Sequence, residues 1–91
     1  MWKRAKFTAD GNINHQVVIR KIILEHSEAT TAVIYNEATN DHTAGKLECT
    51  VRNTTGNLVG EIDFGESGTL FNEGCGVDYN AGTVIVMYKE Y

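Results

Sequence analysis

The stretch that decides the fold is the C-terminal segment 74–91, which reads GCGVDYNAGTVIVMYKEY. Its second half, Thr83–Tyr88, is rich in Val, Ile and Tyr, residues that suit a pleated and half-buried surface. The residues Asn80, Ala81 and Gly82 before it form a turn signal, because Asn and Gly tolerate the positive φ of a short loop. We therefore predict two β-rich segments that are joined by a tight turn as a hairpin.

The length and composition bound the class of protein. Ninety-one residues make one domain, because two cores would each have too few residues. The net charge of −4 and the pI of about 5.2 argue against a nucleic-acid partner, which usually needs a basic surface. The basic residues near Met1 precede no apolar run, and no stretch is long enough to span a bilayer. We therefore expect neither secretion nor a membrane partner.

Turn signals recur along the whole chain, and the segments between them have the composition or alternation of strands. These segments are 2–9, 17–26, 31–36, 46–52, 57–64, 74–79 and 83–88. We predict an all-β protein, a single small antiparallel β-sandwich or barrel-like domain over residues 1–91 with about seven short strands. The segments 17–26 and 31–36 are expected to pair with each other.

Two strand patterns make finer predictions about which side chains face the core. In segment 46–52, the alternation turns Leu47, Cys49 and Val51 inward. In segment 17–26, the adjacent basic residues at positions 20 and 21 interrupt the alternation. Either a bulge lies there, or Ile23 faces the side opposite to its two neighbours.

No set of residues has the spacing of a catalytic or metal site. The histidines His15, His26 and His42 lie in separate segments, whereas zinc needs three or four converging ligands. The acidic residues of segment 61–66 lack the alternating ligands of a calcium loop. We therefore predict no catalytic residue, no metal ligand and no cofactor, and a protein that is not an enzyme.

Cysteines and aromatic residues are the remaining candidates for chemistry. Cys49 and Cys75 are too few for a disulfide scaffold, so we expect two reduced, buried and inert thiols. Five aromatic residues could stack on a sugar, although such side chains more often fill a core or an interface. They are Trp2, Tyr35, Tyr79, Tyr88 and Tyr91.

Three segments together resemble small β-sandwich virion proteins of tailed bacteriophages. They are VVIRKIIL at 17–24, TAVIY at 31–35 and GCGVDYNAGTVIVMY at 74–88. The resemblance is one of pattern, and it implies a head decoration protein or a small tail or fibre component. It also implies synthesis in the host cytoplasm and partners among the other virion proteins, either the major capsid protein or neighbouring copies. The alternatives are a small carbohydrate-binding module, an adhesin component of a tail or fibre, or a small enzyme or enzyme accessory.

The consecutive apolar residues of segment 83–88 raise the question of what covers a second face. Ile85 and Met87 alternate with the residues that face the core, and Ile23 raises the same question in its own strand. A two-layer sandwich has only one core, so a loop or a neighbouring molecule must cover the other face. For a neighbour, we predict a homo-oligomer or an assembly-bound protein with partner-binding residues Trp2, Ile23, Ile85, Met87 and Tyr91.

Overall fold

The structure is a computed structural model that describes all 91 residues, and its fold is all-β, as predicted. The nine strands are β1 (Lys3–Phe7), β2 (Gly11–Ile13), β3 (Val17–Glu25), β4 (Thr31–Tyr35), β5 (Leu47–Arg52), β6 (Val59–Asp63), β7 (Thr69–Phe71), β8 (Cys75–Asp78) and β9 (Thr83–Glu90). The two strands beyond the predicted seven, β2 and β7, have three residues each. The helical residues form one 3₁₀ turn at Ala44–Lys46, and no helix is long and apolar enough to cross a membrane.

The strands form two antiparallel sheets that pack as a sandwich. The larger sheet has the order β1-β9-β3-β6, and β7 pairs with the first residues of β3 on the edge that β6 also uses. The smaller sheet has the order β2-β8-β4-β5. Of the two architectures that the sequence left open, the structure is therefore the sandwich.

The core lies between the sheets and is built from alternate residues of the long strands. Burying one Val, Leu, Ile or Phe side chain stabilises a fold by about 1.5–3 kcal/mol, so these residues set the pairing of the sheets. The side chains that are almost fully buried include Val17, Ile19, Ile22, Leu24, Ile34, Val51, Phe71, Val77, Val84 and Val86.

A β-bulge at Arg20 interrupts β3, where the register against β9 shifts by one residue. An extra residue in a strand changes the side to which all later side chains point. Without it, the alternation that buries Val17 would turn Ile22 and Leu24 outward. The bulge is therefore present, and Ile23 also lies on the side opposite to its neighbours, so both alternatives proposed for this strand hold.

Most connections carry the chain from one sheet to the other, and β4–β5 is the one consecutive pair joined by hydrogen bonds. The predicted pairing of segments 17–26 and 31–36 is wrong, because β3 and β4 lie in different sheets. The predicted hairpin of β8 and β9 is wrong for the same reason. The turn itself is present, with Gly82 at a φ of 82°. Turn residues allow the chain to reverse, whereas the burial of each strand selects its partner.

A second bulge, at Glu48 in β5, explains the one inward side chain of this strand that was predicted wrongly. The register against β4 shifts there by one residue. Cys49 and Val51 pack in or against the core, as predicted. Leu47 lies beyond the bulge and is 51% exposed.

The outer face of the smaller sheet is covered by residues 36–43, which we call the 36–43 loop. The loop runs so close to β8 that a Cβ atom on Gly76 would lie 2.6 Å from the carbonyl oxygen of Thr39. The side chain of Asn12 donates a hydrogen bond of 2.7 Å to the carbonyl of Ala38. Tyr35 lies beneath this loop and is only 7% exposed. We call this surface the covered face.

Candidate functional site

Four of the five predicted partner-binding residues lie on one surface, the outer face of the larger sheet. Ile23 and Ile85 are direct neighbours in the register of β3 and β9, and Met87 follows on the same side of β9. Trp2 lies on the same side, directly before β1. Tyr91 follows β9 at the end of the chain and is 76% exposed. We call this outer face of the larger sheet the open face.

No connection of the chain is long enough to cover the open face. Apart from the segment 36–46, which lies between β4 and β5 of the smaller sheet, the longest connection is 53–58. Extended chain spans at most about 3.3–3.6 Å per residue, so six residues cannot cross four strands and return. Ile23, Ile85 and Met87 are partly buried all the same, which we attribute to the aliphatic stems of long charged neighbours.

The register of the strands arranges the open face in two rows of side chains. The first row is Lys6 of β1, Ile85 of β9, Ile23 of β3 and Glu61 of β6. The second row is Arg4, Met87, Lys21 and Asp63 on the same four strands. Each row therefore begins with a basic residue on β1 and ends with an acidic residue on β6.

Most of the positive charge of this acidic protein is gathered on the open face. Lys21 lies 3.6 Å from a carboxylate oxygen of Glu61 and 3.8 Å from one of Asp63. Four other cations of this face have no carboxylate oxygen within 4.0 Å, namely Arg4, Lys6, Arg20 and Lys89. Unpaired cations beside an apolar strip favour a partner that brings carboxylates.

The ring of Trp2 is held between two of these cations. Nζ of Lys89 lies 4.8 Å from the ring centroid, and Cζ of Arg20 lies 5.7 Å from it. A cation over an indole face is worth about 0.5–1 kcal/mol at an exposed site. Nε of Arg20 is buried and has no hydrogen-bond partner.

The five aromatic residues that could have formed a sugar platform do not share a surface. Trp2 lies on the open face, and Tyr35 lies beneath the 36–43 loop. The hydroxyl of Tyr79 donates a hydrogen bond of 2.9 Å to the carbonyl of Gly82. Tyr88 packs against the core, and Tyr91 is at the chain end. The structure thus offers no aromatic row for a glycan.

A second cluster of functional groups joins Asp10, His42 and Asp78 beside the 36–43 loop. One ligand atom from each residue lies within 4.8 Å of the other two. Nε2 of His42 is 3.8 Å from Oδ2 of Asp10, and Nδ1 is 3.9 Å from Oδ2 of Asp78. Both distances are too long for a hydrogen bond. Nε2 of His42 is nevertheless buried and has no hydrogen-bond partner.

Three contacts hold this cluster in place. The ring of His42 stacks on Tyr35, with centroids 5.5 Å apart and an interplanar angle of 24°. The backbone of His42 has a φ of 59°, and its N–H donates a hydrogen bond of 2.8 Å to Oε2 of Glu37. Oδ1 of Asp10 accepts a hydrogen bond of 2.8 Å from the backbone N–H of Tyr79. These contacts position His42 and Asp10, whereas the carboxylate of Asp78 makes no hydrogen bond and is 39% exposed.

Glu37 fastens the 36–43 loop, and its side chain is 2% exposed. Its Oε1 also accepts a hydrogen bond of 3.3 Å from the backbone N–H of Thr43. Burial by itself raises the pKa of Glu37. Hydrogen bonds from Thr43 and from the backbone of His42, together with the charge of Lys46, outweigh burial and lower the pKa below its ordinary value of 4.5. Glu37 is therefore ionised at neutral pH.

Both cysteines are free, as predicted, and both lie in the smaller sheet. Cys75 is buried, as predicted, whereas Cys49 is only partly buried. The strand β4 separates Cys49 on β5 from Cys75 on β8. Two strand spacings are roughly 10 Å, which is too far for a disulfide. Burial raises the pKa of Cys49 to about 11 and that of Cys75 to about 12. Because the thiolate is the reactive form, both thiols are poor nucleophiles at neutral pH.

Two shallow grooves flank the 53–58 connection. The larger, of about 390 Å³, is lined by residues 29–31 and 52–55. The amide of Asn53 in both grooves serves the fold: it accepts a hydrogen bond of 2.7 Å from the N–H of Thr30 and donates to the carbonyl of Glu28 at 3.0 Å. Neither groove is lined by a histidine or a cysteine.

Comparisons with known proteins found no matching family, no similar curated protein and no similar solved structure. No relative therefore links the chain to the bacteriophage proteins that its sequence resembles.

Sequence reasoning missed the cluster of Asp10, His42 and Asp78. The three residues belong to different parts of the chain, and the spacing between them is not that of a known set of metal ligands. The strand order β2-β8-β4 brings them together, since Gly11 pairs with Val77 and thereby places Asp10 beside Asp78. The one signal in the sequence is that Asp10 and Asp78 lie at the ends of predicted strands, whereas His42 lies between segments 31–36 and 46–52.

Proposed function

We propose that the protein is a non-enzymatic structural protein that pairs with a second copy of itself through the open face. We further propose that this pair is an accessory component of a bacteriophage particle. The self-complementary rows of the open face support the pairing. The sequence resemblance alone supports the virion setting.

Each row of the open face is self-complementary under a two-fold axis that runs along the strands between β3 and β9. Rotation about this axis places β1 of one copy opposite β6 of the other, and β9 opposite β3. Lys6 then faces Glu61 of the second copy, and Ile85 faces Ile23 of the second copy. A two-fold contact uses the same patch on both molecules, which is the commonest arrangement of soluble dimers.

The second row and the Trp2 end of the face fit the same axis. Arg4 faces Asp63 of the second copy, and Met87 lies against the aliphatic stem of Lys21 of the second copy. Trp2 comes opposite Leu70 of the second copy, a residue of β7 that is 43% exposed. A two-fold axis that lies in the interface but runs perpendicular to the strands would instead place β1 opposite β1. The basic residues of the two β1 strands would then repel each other. The charges thus select one orientation.

The size of the open face sets the strength of the contact. Four strand positions and about six residues per strand span roughly 20 Å by 20 Å, a footprint of roughly 400 Å² per copy. A total near 800–1,000 Å² is at the lower limit of specific interfaces, so we expect a Kd of about 10–1,000 µM. When such a weak contact is repeated many times on one particle, avidity makes the binding stable.

The state of the two thiols and the lining of the two grooves support a role without catalysis. The pKa values of both thiols are raised by burial, to about 11 and about 12. The two grooves are lined by no histidine and no cysteine. A catalytic site would need such groups to converge in a pocket.

Charge reversal tests the pairing. Lys6→Glu and Glu61→Lys should each weaken self-association by about tenfold, because each turns two attractions of the symmetric pair into repulsions. The double variant should restore most of it, since both contacts between the copies are then attractive again, although Glu61→Lys removes one carboxylate partner of Lys21 within each copy. Sedimentation velocity over a range of concentrations measures this.

The matched control is Arg52→Glu, an equal change of charge on an exposed residue of the smaller sheet. It should leave association unchanged. A wild-type protein that stays monomeric at about 1 mM, or a double variant no better than the singles, contradicts the pairing.

The virion setting has its own test. Antibody against the protein should decorate purified particles in electron micrographs, at regular positions. Particles without label would contradict the virion setting and would leave the pairing intact.

A further inference from the structure

We infer that Asp10, His42 and Asp78 form a binding site for a divalent transition-metal ion of the zinc class. The site offers one imidazole nitrogen and carboxylate oxygens from two residues. Zinc accepts this mixture of nitrogen and oxygen ligands, whereas calcium and magnesium prefer oxygen alone. Three protein ligands leave a fourth position for water.

The geometry needs only a small adjustment to hold an ion. Ligand atoms around a tetrahedral zinc ion lie roughly 3.4 Å apart, given bonds of about 2.1 Å. Here Nε2 of His42 and Oδ2 of Asp10 are already 3.8 Å apart. Oδ2 of Asp78 lies nearest to the other ring nitrogen, at 3.9 Å, so it must move toward Nε2, but one atom from each residue already lies within 4.8 Å of the other two. The side chains of Asp10 and Asp78 are 45% and 39% exposed, so rotation of their carboxylates can close the remaining gap.

The ring nitrogen Nε2 of His42 is a second and independent pointer to a ligand. It is buried without a hydrogen-bond partner, a state that normally costs about 1–3 kcal/mol. Its nearest charged neighbour is the carboxylate of Asp10, which stands too far off to accept a hydrogen bond. An ion between the two would give this nitrogen the partner that the fold does not provide.

The groups around the cluster act as the outer shell of a metal site does. Tyr35 orients the imidazole by stacking, Glu37 fixes the backbone of His42, and the N–H of Tyr79 orients Asp10. Outer contacts of this kind fix ligands in their binding orientation and are worth 10–100-fold in affinity. By contrast, the exposed pair of His15 and Glu90 has no third ligand beside it.

Binding would join three separate parts of the chain. Asp10 lies between β1 and β2, His42 belongs to the 36–43 loop, and Asp78 ends β8. An ion held by all three would fasten the loop to the covered face. The site is independent of the open face, so it stands whether or not the protein pairs with itself.

Calorimetric titration of the metal-free protein with Zn²⁺ tests the site. We expect one ion per chain and a Kd below about 100 µM. Asp10→Asn and Asp78→Asn should each weaken binding by about tenfold or more, because each removes an anionic ligand. His42→Asn should abolish binding, and it retains a residue that tolerates the left-handed backbone. Circular dichroism of each variant checks that it is folded.

Two further measurements make the result decisive. Co²⁺ in place of Zn²⁺ should give the visible absorption of a four-coordinate site in the wild type and in the control His15→Ala. In Asp78→Asn the same absorption should require about tenfold more Co²⁺ or should not appear. Absence of Zn²⁺ binding at about 100 µM overturns the inference. Binding that neither Asp→Asn change weakens, or that His15→Ala also removes, overturns it equally.

Discussion

The two sheets of this sandwich differ in how their outer faces are treated. The covered face is closed by the 36–43 loop, which the buried carboxylate of Glu37 fastens from within. The open face has no such loop, and its apolar residues Ile23 and Ile85 are shielded only by long charged side chains. Both faces carry bulky side chains, so the strand pattern does not decide the difference.

The difference between the two faces follows instead from the length of the connections and from Gly76. The connection between β4 and β5 is long enough to fold back over its own sheet, and Gly76 lets it lie directly on β8. The larger sheet has only short connections and strands that present β-branched and basic residues outward. A sheet without its own loop depends on charged stems or on another molecule to shield its second face.

The largest effect is expected from Gly76→Val, which should lift the loop from the covered face. The new Cβ would lie 2.6 Å from the carbonyl oxygen of Thr39, a backbone atom that cannot move aside cheaply. Overpacking of this kind costs about 1–3 kcal/mol. Thermal unfolding should therefore show a Tm lower by roughly 4–20 °C, since each kcal/mol is worth about 4–8 °C in a small domain.

Gly45→Val is the matched control, because no atom lies within 4 Å of its Cβ position. It should change stability by less than about 0.5 kcal/mol. Equal losses in both variants would mean that the loop does not rest on β8 as described.

The next effect belongs to the open face. Ile85→Asp should weaken self-association by more than about tenfold, because it places an unpaired charge in the apolar centre of the contact. Leu47→Asp, an equal change at an exposed residue of the smaller sheet, should leave association intact. Sedimentation velocity and thermal unfolding are measured on both. Unfolding of Ile85→Asp alone would show that this residue belongs to the core, and full association would remove it from the contact.

These two faces also mark how far the sequence predicts the structure. Alternation identified most of the strands, and it placed Ile23, Ile85 and Met87 opposite the core. It could not place Leu47, because a bulge changes the side of a residue without leaving a mark in composition. It could not pair the strands either, since the turn at Gly82 is compatible with a hairpin and with a crossing between sheets.

The cluster of Asp10, His42 and Asp78 lay beyond prediction for a related reason. Its residues converge only once β2, β8 and β4 are neighbours, and that order follows from burial over the whole chain. The positive φ of His42 and its contact with Tyr35 likewise depend on the folded loop. Local sequence carries no record of contacts between distant segments.

A smaller effect is expected from a change of pH, which should act on the 36–43 loop of the covered face. Hydrogen bonds lower the pKa of Glu37 in the folded protein below 4.5, so its contribution is complete above that ordinary value. It is lost as the pH falls through the lowered folded value. Protection of the amides of His42 and Thr43 against hydrogen exchange should therefore be complete at neutral pH and should be lost as the pH falls below 4.5, after correction for intrinsic rates.

Glu37→Gln removes this dependence if the assignment is right. Glu90 needs a control of its own, because a hydrogen bond from His15 lowers its pKa too. Protonation of Glu90 should therefore also reduce the global stability of the protein as the pH falls. The Glu90→Gln variant should keep the acid response of the loop amides. If Glu37→Gln keeps the acid response, a group other than Glu37 causes it.

The smallest effect is expected from salt, and it acts on one face alone. Raising NaCl from about 0.15 M to about 1 M shortens the screening length from about 8 Å to about 3 Å. The row ends Arg4, Lys6, Glu61 and Asp63 are exposed, so their attraction across the pair should be screened and the Kd should rise a few-fold. The bonds of Glu37 are buried and direct, so protection of the loop amides should not change. Sedimentation and hydrogen exchange in the same two buffers measure both responses. If salt instead tightened the association, the apolar strip of Ile23, Ile85 and Met87 would be its main source, and the charges would serve only to orient the two copies.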